Sequence, residues 1–268
     1  MSGPPTAGYG FRLVARQGAA RAGVLTTPHG EVPTPTFMPV GTQGSVKSLS
    51  PEEVSATGAR IVLGNTYHLW IRPGADVIAQ LGGLHAMSRW PHAMLTDSGG
   101  FQAFSLTSLT KLTEDGFEFR SHLDGARMKL TPEEAMRVQG LIGADIAMQL
   151  DVCPPGMADR PTLVASVERT TRWAERCLRA RRPDQAVFGI VQGGTDVGLR
   201  RQHARTLSSM PFDGLALGGY SVGEPIEHMH AALGEVASEL DADRPHYLMG
   251  VGTPLDLVHG VAAGVDMF

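Results

Sequence analysis

Seven short apolar runs recur along this chain, and a helix-like segment separates most of them. The runs lie at residues 36–40, 60–63, 93–96, 145–150, 186–191, 214–217 and 246–249. Short apolar strands that alternate with helices are typical of a parallel β-sheet. Each helix returns the chain to the end at which the previous strand began, so the next strand runs in the same direction. Sheets of seven or eight such strands commonly close on themselves. The sequence therefore predicts an α/β fold of the (β/α)8 TIM-barrel type, formed by a single domain over residues 1–268.

Several of the intervening segments carry strong helix-start signals. Ser50 and Thr131 are each followed by a proline and two glutamates, which supplies a capping side chain and an acidic first turn. These signals predict helices after Ser50 and over 131–143, and two further helices are predicted over 161–182 and 225–240. Alternating polarity around an Asp-Gly pair predicts a small antiparallel hairpin within 116–130.

A glycine and a polar side chain follow nearly every apolar run, as in the loops GTQGS, GNTYHL, DSGGFQ, QGG and GVGTP. In (β/α)8 barrels the loops after the strands form the active site, so these residues are expected to meet at one end. The segment AMLTDSGGFQAF, residues 93–104, is the clearest example. There a carboxylate, a hydroxyl, an aromatic ring and an amide follow a buried strand, which favours a site for a flat polar ligand such as a nucleobase.

Composition excludes several classes of protein. The hydrophobic fraction is 42% and the formal net charge is −4, which fits a globular chain without an extended basic surface for nucleic acid. Only Cys153 and Cys177 are present, too few for a disulfide framework or a four-cysteine zinc site. The sequence has no transmembrane run and no apolar signal segment, so a cytoplasmic protein without a membrane partner is expected.

Guanine is the base that best fits the polar groups at the strand ends. It presents two adjacent donors, N1–H and the 2-amino group, which a carboxylate accepts, and one acceptor, O6, which an amide or a backbone N–H reaches. The matching groups are Asp97, Asp151, Gln192, the N–H of Gly219, and the faces of Phe101 and Met249. Each of these alone also suits an ordinary turn, helix cap or core, so the prediction depends on their recurrence at consecutive strand ends.

Seven motifs, taken together, resemble a single family in their order and spacing. They are FMPVGTQGSVK, GNTYHL, DSGGFQ, FRSHLDG, VQGG, GLALGGYSVGE and HYLMGVGTP, and the resemblance covers residues 10–268. On these motifs the chain resembles the tRNA-guanine transglycosylases. The resemblance implies an irregular (β/α)8 barrel, in agreement with the strand count. It also implies that guanine at the wobble position of certain tRNAs is exchanged for a deazaguanine base through a covalent bond between an aspartate and the ribose.

The resemblance further implies roles for individual residues. Asp97 is the expected general acid/base, and Asn65 is the residue expected to orient the nucleophile. The implied base-binding residues are Asp97, Ser98, Gly99, Gly100, Phe101, Gln102, Asp151, Gln192, Gly193, Gly219, Tyr220, Glu224 and Met249. The residues expected to contact tRNA are Gly250, Val251, Gly252, Thr253, Pro254, Leu255 and Asp256. Within the base site, Asp151 is expected to bind the N1 and 2-amino edge, and Gln192 and Gly219 are expected to bind O6.

Two positions favour the bacterial substrate of this family. Bacterial members insert 7-aminomethyl-7-deazaguanine during queuosine biosynthesis, whereas eukaryotic members insert the bulkier queuine. Cys153 and Val222 resemble the bacterial pattern, and the Val222 side chain leaves less room beside the 7-substituent than glycine would. Glu224 is expected to support the peptide that accepts the aminomethyl group. Tyr220 and Val152 depart from the bacterial pattern, which has leucine and glutamate at these positions.

The family pattern continues after Phe268 with the nucleophilic aspartate and a CxCxxC…His zinc site. This sequence holds neither, and its residues 264–268, GVDMF, resemble only the start of an eighth strand. The eighth strand and the zinc module are thus expected to be missing from this chain, which would leave the first and seventh strands unpaired at their edges. Little base exchange and no cofactor are expected of residues 1–268, and Zn²⁺ and a homodimer are expected of a longer family member.

Two polar clusters have simpler explanations. His228 and His230 are two positions apart on a predicted helix, so their rings point to different faces and do not form a metal pair. Four arginines share one face of the helix predicted over 161–182: Arg169, Arg172, Arg176 and Arg179. That face either contacts phosphate or is a solvated outer surface of the barrel.

Two other functions stay open at this point. A non-catalytic base-binding or regulatory partner arises when one subunit of a paired enzyme loses its chemistry. A different (β/α)8 glycosyl-transfer enzyme would have to share all seven motifs by chance. Complete retention of the base-reading groups favours the enzyme, because a degenerate partner does not need them; these are Asp97, Asp151, Gln192 and Gly219.

Overall fold

The computed structural model describes residues 6–105 and 110–268, and the first five residues of the N-terminal segment lie outside it. Its strands are β1 Gly10–Gln17, β2 Ala20–Thr27, β3 Gly30–Thr34, β4 Ile61–Gly64, β5 Ala93–Thr96, β6 Lys111–Leu112, β7 Phe117–Arg120, β8 Arg127–Leu130, β9 Ile146–Met148, β10 Ala186–Val191, β11 Gly214–Leu217 and β12 His246–Leu248. Its helices are α1 Pro51–Ala56, α2 Thr66–Ile71, α3 Ala75–Gln80, α4 Leu84–Ser88, α5 Gly100–Ser105, α6 Pro132–Ile142, α7 Arg160–Ala180, α8 Val197–Ser208, α9 Ile226–Ala237 and α10 Pro254–Ala263. Within the described ranges, none of these helices is long and apolar enough to cross a membrane.

A curled parallel sheet of six strands forms the centre of the molecule. Its order is β12-β11-β10-β9-β5-β4, and every neighbouring pair is parallel. Successive side chains of a strand face opposite sides, so Ile146 and Met148 join the inner apolar cluster while Ala147 packs towards the helices. The sheet is compatible with a TIM-like fold, and it contains six of the seven predicted strands.

The two edges of this sheet are joined by short bridged segments rather than left open. In the segment predicted as the first strand, Val40 forms an isolated parallel bridge with Leu63 of β4. Thr36 bridges Met267, which in turn bridges Tyr247 of β12. The expectation of unpaired edges on the first and seventh strands is therefore wrong, because Met267 lies between them and pairs with both.

An antiparallel sheet of β1, β2 and β3 covers the amino end of the parallel strands, and the sequence did not predict it. Leu25 and Val32 are buried in the same apolar cluster as the inner face of the parallel sheet. The Tyr9 hydroxyl donates to the carbonyl oxygen of Asp145, and His29 Nδ1 lies 2.7 Å from the Asp145 carboxylate. Since Asp145 comes directly before β9, this sheet closes the end opposite to the polar loops.

The predicted helix starts are confirmed. Ser50 Oγ accepts the N–H of Glu53 at 3.2 Å, and the Glu53 carboxylate accepts the N–H of Ser50 at 2.7 Å, which is a complete capping box for α1. Thr131 Oγ1 accepts the N–H of Glu134 at 3.1 Å and caps α6. The predicted hairpin is also present as the antiparallel pair β7 and β8, with β6 as a third strand.

The arginine face of α7 is an ion-paired outer surface. Arg172 Nε lies 2.7 Å from Glu114 Oε1, and Arg176 Nη2 lies 2.7 Å from Glu133 Oε2. Arg169 also reaches Glu114, at 3.3 Å. These guanidinium groups already face carboxylates, so the structure favours the solvated outer surface over the phosphate contact.

Candidate functional site

A cavity of about 720 Å³ opens at the carboxyl ends of the parallel strands. Its walls come from the loops that follow β4, β5, β9, β10, β11 and β12. The predicted site residues that line it are Asn65, Asp97, Ser98, Gly99, Phe101, Gln102, Asp151, Gln192, Gly219, Tyr220, Met249, Gly250, Val251, Gly252 and Thr253. The fold thus brings together polar groups that are far apart in the sequence, because the carboxyl ends of parallel strands all lie on the same side of the molecule.

Asp97, directly after β5, is the centre of a hydrogen-bond network. Its Oδ2 accepts from Asn65 Nδ2 at 2.6 Å and from Gln102 Nε2 at 2.8 Å. Its Oδ1 accepts the N–H of Thr66 at 2.8 Å. Burial raises the pKa of Asp97 even though these donors oppose the shift. A carboxyl group whose pKa moves towards neutral is suited to proton transfer.

Asp151 and Gln192 form a second polar pair in the same cavity. Gln192 Nε2 donates to Asp151 Oδ2 at 2.6 Å, and both side chains are buried. Asp151 Oδ1 has a long contact of 3.5 Å from Ser98 Oγ. Burial, together with a smaller contribution from the nearby charge of Asp97, raises the pKa of Asp151 to about 6. The pair leaves one carboxylate oxygen and one amide hydrogen available to a ligand.

The loop after β11 brings its backbone very close to this pair. Gly219 has a φ of +65°, and a Cβ atom at this position would collide with Gln192 Oε1. Only glycine allows both the left-handed backbone and the close approach. Further along the loop, the Glu224 carboxylate accepts the N–H of Ser221 at 2.5 Å and that of Val222 at 3.0 Å. Since the Ser221 N–H shares a peptide plane with the carbonyl of Tyr220, Glu224 fixes the direction of that carbonyl.

Six predicted site residues do not form walls of this cavity: Gly100, Gly193, Glu224, Pro254, Leu255 and Asp256. Glu224 lies behind the loop that it supports, and Gly193 packs against the side chain of Arg200. The last three residues of the set belong to the first turn of α10. The motif match could not separate them from the wall residues, because neighbours in a loop or helix turn face different directions.

Some residues that line the cavity were not predicted from the sequence. Phe37 and Val40 are 46% and 51% exposed and form an apolar part of the wall, and Tyr247 and Phe268 line the cavity as well. Phe37 and Val40 stand in the FMPVG motif, which was the available signal. No sequence signal marked Arg200, which is fully buried in α8 behind the Gly219 loop.

The described residues do not fit a structural zinc site. Cys153 lines the cavity, whereas Cys177 is buried in α7 and accepts the N–H of Leu150 at 3.3 Å. The predicted separation of the two helical histidines is observed, since His228 is exposed while His230 Nε2 lies 2.8 Å from Asp256 Oδ1.

One cluster in the described ranges holds three potential metal ligands, His29, His85 and Asp145. The two imidazole rings are stacked, with centroids 3.6 Å apart and an angle of 11° between their planes. A nitrogen lone pair lies in the plane of its ring. Two nearly parallel planes this far apart therefore do not let both rings point a lone pair at one ion. Asp145 instead lies 2.7 Å from His29 Nδ1 and 3.1 Å from His85 Nε2. The geometry favours a hydrogen-bonded link between the N-terminal sheet and α4.

Comparison with known proteins gives a consistent result. The family described as Queuine tRNA-ribosyltransferase matches residues 16–268. A queuine tRNA-ribosyltransferase of Sorangium cellulosum is 70% identical over 263 residues, which are 98% of this chain and 67% of that protein. Those of Desulforamulus reducens and Moorella thermoacetica are each 55% identical over 93% and 94% of this chain, and 68% of each relative is covered. The chain therefore belongs to the queuine tRNA-ribosyltransferase family.

Proposed function

We propose that the cavity binds guanine and 7-aminomethyl-7-deazaguanine and takes part in their exchange at the wobble position of tRNA, a pentosyl transfer in queuosine biosynthesis. The observation that carries the proposal is the convergence of Asp97, Asp151, Gln192 and Gly219 on one cavity. The relatives, which are queuine tRNA-ribosyltransferases, support the same reaction. The bridges through Met267 support a complete (β/α)8 barrel around this cavity.

In this proposal the base lies with its polar edge towards the Asp151–Gln192 pair. The Asp151 carboxylate accepts N1–H and the 2-amino group, and the amide of Gln192 and the N–H of Gly219 donate to O6. Phe101, which is 50% exposed, covers one face of the base, and Met249 covers the other. The carbonyl of Tyr220, held in direction by Glu224, accepts the ammonium of the aminomethyl group.

Asp97 acts as the general acid/base in this proposal. The incoming base must lose a ring proton before it bonds to the ribose, and the departing guanine must gain one. The raised pKa of Asp97 supports such an exchange, and the donors Asn65 and Gln102 keep its carboxylate in place. We assign no nucleophile among the described residues, because the use of Asp97 as nucleophile would remove the proton carrier.

The loop Gly250–Thr253 is proposed to contact the tRNA. It lies at the cavity wall next to Met249. It leads into α10, whose first turn is capped by Thr253: the Thr253 Oγ1 and the Asp256 carboxylate hydrogen-bond at 2.5 Å. Gly250 and Gly252 of this loop are exposed. Exposed backbone before a helix is suited to contact phosphate.

The proposal is tested by calorimetric titration of the protein with guanine, with 7-aminomethyl-7-deazaguanine and with adenine. Adenine carries a donor where guanine has O6 and lacks the 2-amino group, so it leaves Asp151 and Gly219 without partners. Both guanine-type bases are expected to bind at least about 100-fold more tightly than adenine. Equal affinities for all three bases would exclude base recognition by this cavity.

Guanine affinity is expected to decrease as the pH falls through the pKa of Asp151, which burial raises to about 6. Only the ionised carboxylate accepts both donors of the base, and protonation turns one acceptor into a donor. Below that pKa the affinity should drop by up to about tenfold per pH unit. The measurement is calorimetry between about pH 8 and about pH 5. In Asp151→Asn the guanine affinity should no longer depend on pH in this range. If the affinity of that variant falls with pH as steeply as that of the unaltered protein, another group causes the effect.

Val222→Gly is expected to change substrate preference towards bulkier bases. Val222 lines the cavity near the proposed position of the 7-substituent, and its removal frees the volume of an isopropyl group. Deazaguanines with larger 7-substituents should gain about tenfold relative to the aminomethyl base, on the scale of one or two methylene groups. Competition binding of queuine against 7-aminomethyl-7-deazaguanine measures the ratio. An unchanged ratio would show that Val222 does not limit the size of the base.

A further inference from the structure

Arg200 is fully buried near the start of α8, beside the loops that carry Gln192 and Gly219. Its guanidinium donates to three backbone carbonyl oxygens. Nη1 reaches Gly218 at 2.7 Å, Nη2 reaches Gly219 at 2.7 Å, and Nε reaches Gly194. Within the described ranges its hydrogen bonds thus all go to carbonyl groups, and they connect the loop after β10 to the loop after β11.

The planar trans peptide determines what this contact does. The carbonyl of Gly218 and the N–H of Gly219 belong to one peptide unit and point in opposite directions. Because Arg200 holds the carbonyl on one side, the N–H is turned to the other. This N–H makes no hydrogen bond with another described residue, and Gly219 lines the cavity. The donor is therefore available to a ligand, and its direction depends on the guanidinium.

Tyr220 restricts the guanidinium in turn. The Cζ atom of Arg200 lies 3.7 Å from the centroid of the Tyr220 ring, a close cation–π contact. The ring covers one face of the planar group and limits its rotation. The larger side chain at this position, where leucine was expected, is thus accounted for by its contact with Arg200.

We propose that Arg200 is a positioning residue, which aims the N–H of Gly219 at the 6-oxo group of the bound base and so sets the preference for 6-oxo purines. The proposal rests on the function proposed above, and it adds the physical cause of the selectivity. Lysine in place of Arg200 keeps the charge but supplies a single ammonium where a planar fork held two adjacent carbonyls.

The test compares binding of guanine and 2-aminopurine, which share the 2-amino group; 2-aminopurine lacks the 6-oxo group and, with it, the proton on N1. Asp151 is unchanged in the variants below, so a change in the ratio of affinities reports the contact to O6. The ratio of the two affinities is measured by calorimetry for the unaltered protein and for Arg200→Lys. We expect this ratio to fall about tenfold, since one hydrogen bond to O6 loses its alignment. Tyr220→Leu, which removes the stacked ring, should lower the ratio about threefold. Arg201→Lys is the matched control, because Arg201 lies next in the same helix and pairs with Glu239 at 2.6 Å on the surface.

The ratio separates positioning from simple stabilisation. If Arg200 only stabilises the fold, its replacement lowers the melting temperature and both affinities together, and the unchanged ratio would overturn the proposal. If Arg200→Lys does not fold, the ratio for Tyr220→Leu decides: a lowered ratio supports the proposal and an unchanged one overturns it. If the unaltered protein shows no preference for guanine, the proposed function fails before this inference is reached.

Discussion

Replacement of Asp151 by asparagine is expected to weaken guanine binding by about 2–4 kcal/mol, which corresponds to a loss of roughly 30- to 900-fold in affinity. Asp151 is buried and accepts from Gln192 Nε2 at 2.6 Å, so an asparagine oxygen could keep that bond. The asparagine NH2 group would then face the two donors of the base. A donor opposed to donors in a buried site leaves all of them unsatisfied, which makes this change larger than the loss of one hydrogen bond.

The measurement is calorimetric titration with guanine at about pH 7.5, where the ionised form of Asp151 predominates. Asp184→Asn is the matched control, because Asp184 pairs with Arg182 at 2.7 Å and both side chains are more than half exposed. It should bind guanine as the unaltered protein does. Equal guanine affinity in Asp151→Asn would contradict the assignment of Asp151 to the base edge.

Replacement of Arg21 by methionine is expected to lower the free energy of unfolding by about 3–5 kcal/mol, the scale for a buried charge that loses its partner. Arg21 Nε lies 3.2 Å from Asp266 Oδ1, and the two side chains are 1% and 0% exposed. The atoms are within ion-pair distance, although they are not aligned for a hydrogen bond. The pair connects β2 of the N-terminal sheet to the segment that bridges the edges of the parallel sheet. Its loss should therefore weaken both.

The effect of Arg21→Met should depend on pH with a definite sign. Burial raises the pKa of Asp266 to about 6 although Arg21 opposes the shift, so the ionised form is costly in the folded protein. Without Arg21 this pKa rises further, because a charge that lowers it is lost. Near neutral pH the variant therefore either holds a buried carboxylate without its cation or must protonate it, whereas at low pH Asp266 is neutral with or without Arg21 and much of the cost disappears. Denaturant unfolding should show a larger loss at about pH 7.5 than at about pH 5.

Two further variants test this prediction, one as a rescue and one as a control. Combination of Arg21→Met with Asp266→Asn should recover part of the stability, because it removes the orphaned charge. Arg12→Met is the control, since Arg12 is exposed on β1 of the same sheet. If Arg21→Met unfolds at the same denaturant concentration as the control, the pair does not stabilise the fold.

Much of the cavity could be predicted from local sequence. The apolar run before Asp97 predicts a strand, and the glycines after it predict a tight turn. Neither prediction depends on contacts with distant segments. Repetition of the pattern at Asp151, Gln192 and Met249 predicts a shared site, because parallel strands all end at one side of the sheet. The caps at Ser50 and Thr131 were also predictable from the sequence, because a helix cap joins residues only three positions apart.

The tertiary structure decided what depends on contacts between distant segments. The pairing of Met267 with Thr36 and Tyr247 joins residues more than two hundred positions apart in the first case. The local pattern GVDMF indicated the start of a strand but not the partners with which it pairs. The burial of β2 alternates, but its buried positions include Arg21, Gly23 and Thr27, and β1 has no buried residue. Neither strand therefore shows the apolar alternation in its sequence that marks a half-buried strand. Arg200 carries no local signal in the sequence. Only the packed fold shows that its guanidinium is buried and holds the carbonyls of Gly218 and Gly219, because the direction of a side chain is set by the elements packed around it.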